Sequence, residues 1–151
     1  MDKRDLEQLL SDVAGGSVTP ADALTRIQTA PTADLGFAQL DLSRGVRQGA
    51  GEVVYGAGKT AEQIAAIIEA LRDAGQERIL VTRLDAEKAA RTSELLGNGI
   101  DLGYVPDAQL ALVGGKPSPT GNGRIVVACA GTSDLPVAEE AALTAEFYGN
   151  E

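Results

Sequence analysis

Residues 52–82 read EVVYGAGKTAEQIAAIIEALRDAGQERILVT, and this stretch decides the fold. Glu52 to Tyr55 is a short, mostly apolar run of the kind that forms a strand. Gly56-Ala57-Gly58-Lys59 turns the chain. Thr60 then stands three residues before Gln63, the spacing of a capping box, in which each side chain satisfies a free backbone N–H of the other. Ile64, Ile67, Ile68 and Leu71 follow at helical spacing and predict one buried face. Gly75 ends the helix, and Arg78 to Thr82 is the next strand. A strand, a helix and a second strand within this length predict a parallel pair joined by a crossover, and hence an α/β protein.

Working outward, Asp85 opens another helix carrying Ala86, Ala89, Ala90 and Leu95 before Gly97. Tyr104-Val105 and Leu110 to Val113 read as short strands. Residues 114–121, Gly-Gly-Lys-Pro-Ser-Pro-Thr-Gly, are a linker by composition. Arg124 to Ala130 reads as a continuous apolar strand, the kind that sits inside a sheet covered on both faces. Cys129, in that run with no basic neighbour, reads as a buried small hydrophobe. A turn, Gly131-Thr132-Ser133-Asp134, leads into a helix through Tyr148.

Before residue 52, Asp5 to Ala14 reads as a helix with Leu6, Leu9, Leu10 and Val13 on one face and Gly15 at its end. Thr19 caps a second helix, with Pro20 in its first turn, Asp22 at the positive end of its dipole, and Leu24 and Ile27 as its apolar face. Together they predict a helical hairpin over 4–29. Residues 35–51 are less regular. The expected architecture is therefore this hairpin, then a small, mainly parallel sheet with helices over 35–113. A boundary near 121 is expected, with a further strand and helix over 122–151.

The chain has 151 residues and a formal net charge of -9. It carries no basic stripe to neutralise nucleic-acid phosphates, and its acidity opposes anionic membranes. No run of 18 apolar residues and no signal peptide is visible, which makes the cytoplasm the default location. There is no histidine and one cysteine. This composition excludes serine and cysteine triads that need imidazole, and it excludes imidazole or multi-thiolate metal sites and an internal disulfide framework. Protein partners and small molecules remain, including small anions, because local N–H groups can outweigh net charge.

Three places carry chemistry. Gly56-Ala57-Gly58-Lys59-Thr60 resembles the tail of a phosphate-binding P-loop. Val53 stands where that loop needs glycine, so the bland reading, a strand-to-helix turn capped by Thr60, is preferred. Lys59 could still meet an anion by charge. Asp41, Arg44 and Arg47 share a face if their stretch is helical; they are either a solvated ion-pair cluster or two arginines clamping a carboxylate or phosphate. Gly131-Thr132-Ser133-Asp134 follows an apolar strand and precedes a helix. In parallel α/β sheets ligands bind beyond the strand ends, and free N–H groups at a helix start attract anions. Ser133 can donate to a phosphate oxygen and Asp134 can accept from a ribose hydroxyl, or either can simply cap the helix.

Three stretches together resemble the LarB family of nickel-pincer cofactor biosynthesis carboxylases. The first is Leu35-Gly36-Phe37-Ala38 with Asp41-Leu42-Ser43-Arg44. The second is Arg47-Gln48-Gly49 through Glu52-Val53-Val54-Tyr55-Gly56-Ala57-Gly58-Lys59-Thr60. The third runs from Ala130-Gly131-Thr132-Ser133-Asp134-Leu135-Pro136 to Ala145-Glu146. The resemblance implies an enzyme that carboxylates the pyridinium ring of nicotinic acid adenine dinucleotide with CO2 or bicarbonate and hydrolyses its phosphoanhydride. The implied products are pyridinium-3,5-biscarboxylic acid mononucleotide and AMP. It implies no tightly bound cofactor, with magnesium as the one ion to consider for the full enzyme. It also implies that residues 122–151 begin a flavodoxin-like domain similar to aminoimidazole ribonucleotide carboxylase, which assembles as an octamer. In that enzyme a Ser-Asp pair after the first strand touches substrate phosphate and ribose, and Ser133 and Asp134 match that pair.

Two departures bear on this. The family carries an aromatic–proline pair before the Glu-Val-Val-Tyr strand, where this chain has Ala50-Gly51, a freer backbone. The family's catalytic cysteine and glutamate lie in later parts of the carboxylase-like domain, and Cys129 does not match that cysteine. The expectation is an N-terminal portion that continues beyond Glu151 and is inactive as a carboxylase by itself. The alternatives are a non-catalytic binding or assembly module, and a nucleotide-phosphate enzyme built on Gly56 to Thr60.

Overall fold

A computed structural model describes residues 3–28, 32–42, 51–97 and 99–151. The chain divides into two compact units, Met1–Glu52 with Ala70–Gln76, and Val53–Glu69 with Glu77–Glu151.

In the first unit, α1 (Lys3–Ala14) and α2 (Pro20–Gln28) pack together as the predicted hairpin. The Asp22 N–H donates to Thr19 Oγ1 at 3.1 Å, so Thr19 is the cap expected of it. The buried residues are Leu9 and Ala23, whereas Leu10 and Leu24 are exposed. The small Ala23, not its larger neighbour, lies on the packed side. Residues 32–41, irregular in the sequence, form a small antiparallel pair of β1 (Thr32–Asp34) and β2 (Gln39–Asp41), with Leu40 buried. An Asp34 carboxylate oxygen accepts from the Gly36 N–H at 2.8 Å, and Leu35 N–H donates to Ala38 O at 2.9 Å, which closes the turn. Gln76 holds Glu52 through both backbone groups: Glu52 N–H donates to Gln76 Oε1 (3.2 Å) and Gln76 Nε2 donates to Glu52 O (3.1 Å).

The second unit is built on a four-stranded sheet of order β3-β4-β6-β5. Its strands are β3 (Val53–Tyr55), β4 (Ile79–Thr82), β5 (Leu102–Val105) and β6 (Leu110–Val113). The crossover from β3 to β4 runs through α3 (Ala61–Asp73), whose last turn belongs to the first unit. The capping box is made: Thr60 N–H donates to Gln63 Oε1 (3.0 Å) and Gln63 N–H donates to Thr60 Oγ1 (3.2 Å). Ile64, Ile68 and Leu71 are fully buried and Ile67 nearly so, as their spacing predicts. Each such burial removes apolar surface worth roughly 1.5–3 kcal/mol from water. Asp85 caps α4 (Ala86–Leu95) by accepting from the Lys88 N–H at 2.8 Å. Only Ala89 of that helix's predicted alanine face is buried, together with Thr92.

The α/β class holds, and the sheet is mixed. β3 pairs parallel with β4, but β4–β6 and β5–β6 are antiparallel. The mainly parallel sheet is corrected by one short connection. Pro106 to Gln109 turns β5 straight back into β6, and Gln109 N–H donates to Pro106 O at 3.1 Å. So short a loop permits only an antiparallel neighbour.

Residues 114–121 are irregular, as their composition predicts, yet held: Thr120 and Gly121 N–H both donate to Gly149 O. α5 (Leu135–Phe147) puts Leu143 and Phe147 into a core with Leu80, Ala108, Leu110 and Leu112. Residues 124–130 are not a sheet strand. They are exposed, and Val126 is 87% accessible. Cys129 is exposed too, not buried. The apolar run marks a segment able to be a central strand, but a strand needs a ladder of partners, and the Ile125 N–H donating to Glu151 O at 2.9 Å is not extended into one. No described helix is long and apolar enough to cross a membrane.

Candidate functional site

The Gly131–Asp134 turn is a single 3-10 turn, Thr132–Asp134, entered from extended Gly131 and continued by α5. The Asp134 N–H donates to Gly131 O at 3.1 Å. Pro136 lies in the first turn of α5, where its missing N–H costs no helix bond. A Cβ built on Gly131 would lie 3.6 Å from Ser133 Oγ and 3.6 Å from Asp134 Oδ2. The hydroxyl and the carboxylate of the Ser-Asp pair therefore converge over Gly131, on the side its missing side chain leaves open.

Neither oxygen is used by the fold. Asp134 stands at the N-cap of α5 without a side-chain capping bond. Among the described residues, no hydrogen bond or ion pair engages the Thr132, Ser133 or Asp134 side chains. The capping alternative is thus not the one adopted, and both groups are exposed to solvent. Their chemistry divides by charge. The Ser133 hydroxyl and the N–H groups opening α5 can donate to an anion. The Asp134 carboxylate repels an anion and accepts instead from a neutral hydroxyl.

The Gly56–Thr60 turn is not a phosphate cradle. Gly56 N–H donates to Thr82 O (2.7 Å), Lys59 N–H to Gly56 O (3.2 Å) and Thr60 N–H to Gln63 Oε1 (3.0 Å), so these three N–H groups are spent on the chain itself. The Lys59 ammonium donates to Tyr55 O at 3.1 Å. A second lysine, not singled out by the sequence, clamps the same turn. Lys88 Nζ donates to Gly56 O and Ala57 O, both at 3.2 Å, and pairs with Asp85 at 3.4 Å. Its place three residues after the cap Asp85 is the signal that could have found it. The Lys88 N–H, first among the causes, holds the Asp85 carboxyl below its ordinary 3.8. Burial, and then the Asp85 charge, push the Tyr104 phenol above its ordinary 10.0, and it stays a neutral donor to Leu84 O at 3.0 Å.

Asp41 ends β2. Arg44 and Arg47 lie outside the described residues, so the arginine clamp has no geometry to report. No hydrogen bond or ion pair joins Lys59 to the Gly131–Asp134 turn among the described residues. Arg83, absent from the sequence reading, carries its Nε to 2.9 Å from Glu140 Oε2 on α5. Its backbone is left-handed, with φ of 53°, and an arginine gives no sequence signal for that conformation.

A family model, the LarB/PurE-like N-terminal domain, matches residues 32–114, more than half of the chain. The chain belongs to this family. No curated protein matches the sequence. The match to the LarB/PurE-like N-terminal domain starts at the first residue of β1 and ends at Gly114, directly after β6. It takes in β1, β2 and the whole four-stranded sheet. The Gly131–Asp134 turn and α5 lie beyond it.

Proposed function

We propose that the chain is the N-terminal portion of a carboxylase acting on nicotinic acid adenine dinucleotide. With CO2 or bicarbonate as the second substrate, that enzyme yields pyridinium-3,5-biscarboxylic acid mononucleotide and AMP. In this reading residues 122–151 begin the carboxylase-like domain, the boundary falls near 121, and the working assembly is a homo-oligomer, an octamer by family analogy, in the cytoplasm. The family match supports the carboxylase class. The observation that carries the substrate is the unengaged Ser133–Asp134 pair converging over Gly131 at the start of α5.

The roles follow from charge. Ser133 and the first N–H groups of α5 hold a substrate phosphate, and Asp134 accepts from a ribose hydroxyl, so the nucleotide is held at two adjacent groups. Two anchored points fix its orientation, which is the entropic part of catalysis. No residue of this chain matches the family's catalytic cysteine, so the chain binds without turning over. Among the described residues no His, Cys, Asp and Glu cluster could hold a metal ion.

The test is AMP release from nicotinic acid adenine dinucleotide plus bicarbonate. The 151-residue chain releases none, and a form extended by a carboxylase-like domain of roughly a hundred residues releases AMP in step with carboxylation. A folded extended form without turnover overturns the reading. A second reading, an assembly module, draws on the exposed run Ile125, Val126 and Val127.

A further inference from the structure

We infer that Arg83 is a positioning residue for the Gly131–Asp134 turn and acts through Glu140; this rests on that turn being the phosphate and ribose subsite. Arg83 Nε lies 2.9 Å from Glu140 Oε2, and the Glu140 side chain is only 19% exposed. Glu140 sits in the second turn of α5, the helix that begins directly after Asp134. Among the described residues, this is the one ion pair joining the family-matched residues 32–114 to α5. The other pair that reaches α5, Lys116 with Glu146, comes from the segment beyond the match.

Apolar packing alone leaves the setting of α5 loose. Leu143 and Phe147 anchor its C-terminal half in the core. Around the rest, apolar residues are spread over the whole circumference, and Leu135 and Val137 are exposed. Ahead of Leu143 no residue of α5 is buried, so apolar packing holds its N-terminal half less firmly than its C-terminal half. The Arg83–Glu140 pair adds a charge-specific contact on one face of that half, with the Arg83 side chain 45% exposed. Rotating α5 about its axis moves the Ser133 hydroxyl and the Asp134 carboxylate with it.

Arg83 is held firmly enough for this task. Its φ of 53° is rare for a residue with a long side chain and persists only where neighbours enforce it. Three contacts do so. Leu84 N–H donates to Gln109 O at 2.7 Å and Gly56 N–H to Thr82 O at 2.7 Å. Gly56 lies so close that a Cβ on it would stand 3.0 Å from Thr82 O and 3.3 Å from Arg83 O. The end of β4 therefore fixes the backbone from which the Arg83 side chain departs.

The experiment is calorimetric titration of the 151-residue chain with nicotinic acid adenine dinucleotide, alongside its thermal midpoint. Arg83→Met and Glu140→Gln weaken binding about tenfold, in the range of couplings carried by residues that touch no ligand. The reversed pair Arg83→Glu with Glu140→Arg restores affinity, and Arg83→Lys stays close to the unmodified chain. A purely structural role would lower the midpoint without tracking the charge pairing. Equal binding by Arg83→Met, or a folded reversed pair that fails to restore affinity, overturns the inference. Should the reversed pair not fold, loss of affinity in a folded Arg83→Lys overturns it equally. Absence of binding by the unmodified chain overturns the substrate reading, and this inference with it.

Discussion

The carboxamide of Gln76 stands in for a neighbouring strand beside Glu52. It accepts from the Glu52 N–H at 3.2 Å and donates to the Glu52 carbonyl at 3.1 Å. A Cβ on Gly51 would come within 2.8 Å of that same amide group, at Gln76 Nε2 and Cδ. Gly51 thus lies directly under a glutamine clip on Glu52. Gln76→Leu, of similar size, loses both bonds and leaves two partly buried backbone groups unmatched. It should cost about 1–3 kcal/mol in urea unfolding. An unchanged midpoint would show that water replaces the clip at no cost.

Gly114 and Gly115 form a controlled pair. Both have positive φ, 74° and 68°. A Cβ on Gly114 would stand 2.2 Å from Glu77 O, whereas one on Gly115 meets nothing within 4 Å. Gly115→Ala should therefore cost only the left-handed strain, about 1 kcal/mol. Gly114→Ala must also move backbone and should cost about 3 kcal/mol or more. Equal losses in chemical denaturation would contradict the close approach.

Acid stability should report Asp85. Its folded carboxyl lies below the ordinary 3.8, chiefly through the Lys88 N–H. A depressed carboxyl stabilises the fold at pH above its unfolded value, and the benefit is lost as pH falls through the lower folded value. Asp85→Asn should flatten the acid limb below about pH 3.8 and leave the neutral limb's shape unchanged. Superimposable pH profiles for the two proteins would contradict the assignment.

Much of the fold was legible because its signals are local. Thr60 with Gln63, Asp85, and the isoleucine face of α3 need only their own neighbours in sequence. Residues 124–130 were misread because an apolar run reports what a segment could bury, not whether a partner is present. The mixed sheet followed from the same gap, since strand direction depends on connection length and not on strand composition. At the candidate site, Ser133 and Asp134 stood out in the sequence as a pair after a strand-like run, whereas the Arg83–Glu140 pair spans a distance in sequence that no spacing rule records.

Exposed Val126 should respond to change without cost to folding. Val126→Lys should leave stability within about 0.5 kcal/mol and lower binding of a hydrophobic dye, because it interrupts an exposed apolar run. A large loss of stability would mean that the run is buried in solution.

The measurement that bears most directly on the central claim is titration of nicotinic acid adenine dinucleotide into the chain and into its Ser133→Ala/Asp134→Ala variant. Both side chains are exposed and take part in no side-chain bond of the fold among the described residues, so the thermal midpoints should agree. The account predicts saturable binding by the unmodified chain and a loss of about tenfold or more in the variant, since hydrogen bonds to charged groups are each worth about 1.5–3 kcal/mol. Saturable binding of equal strength by both proteins, or none by either, would contradict it.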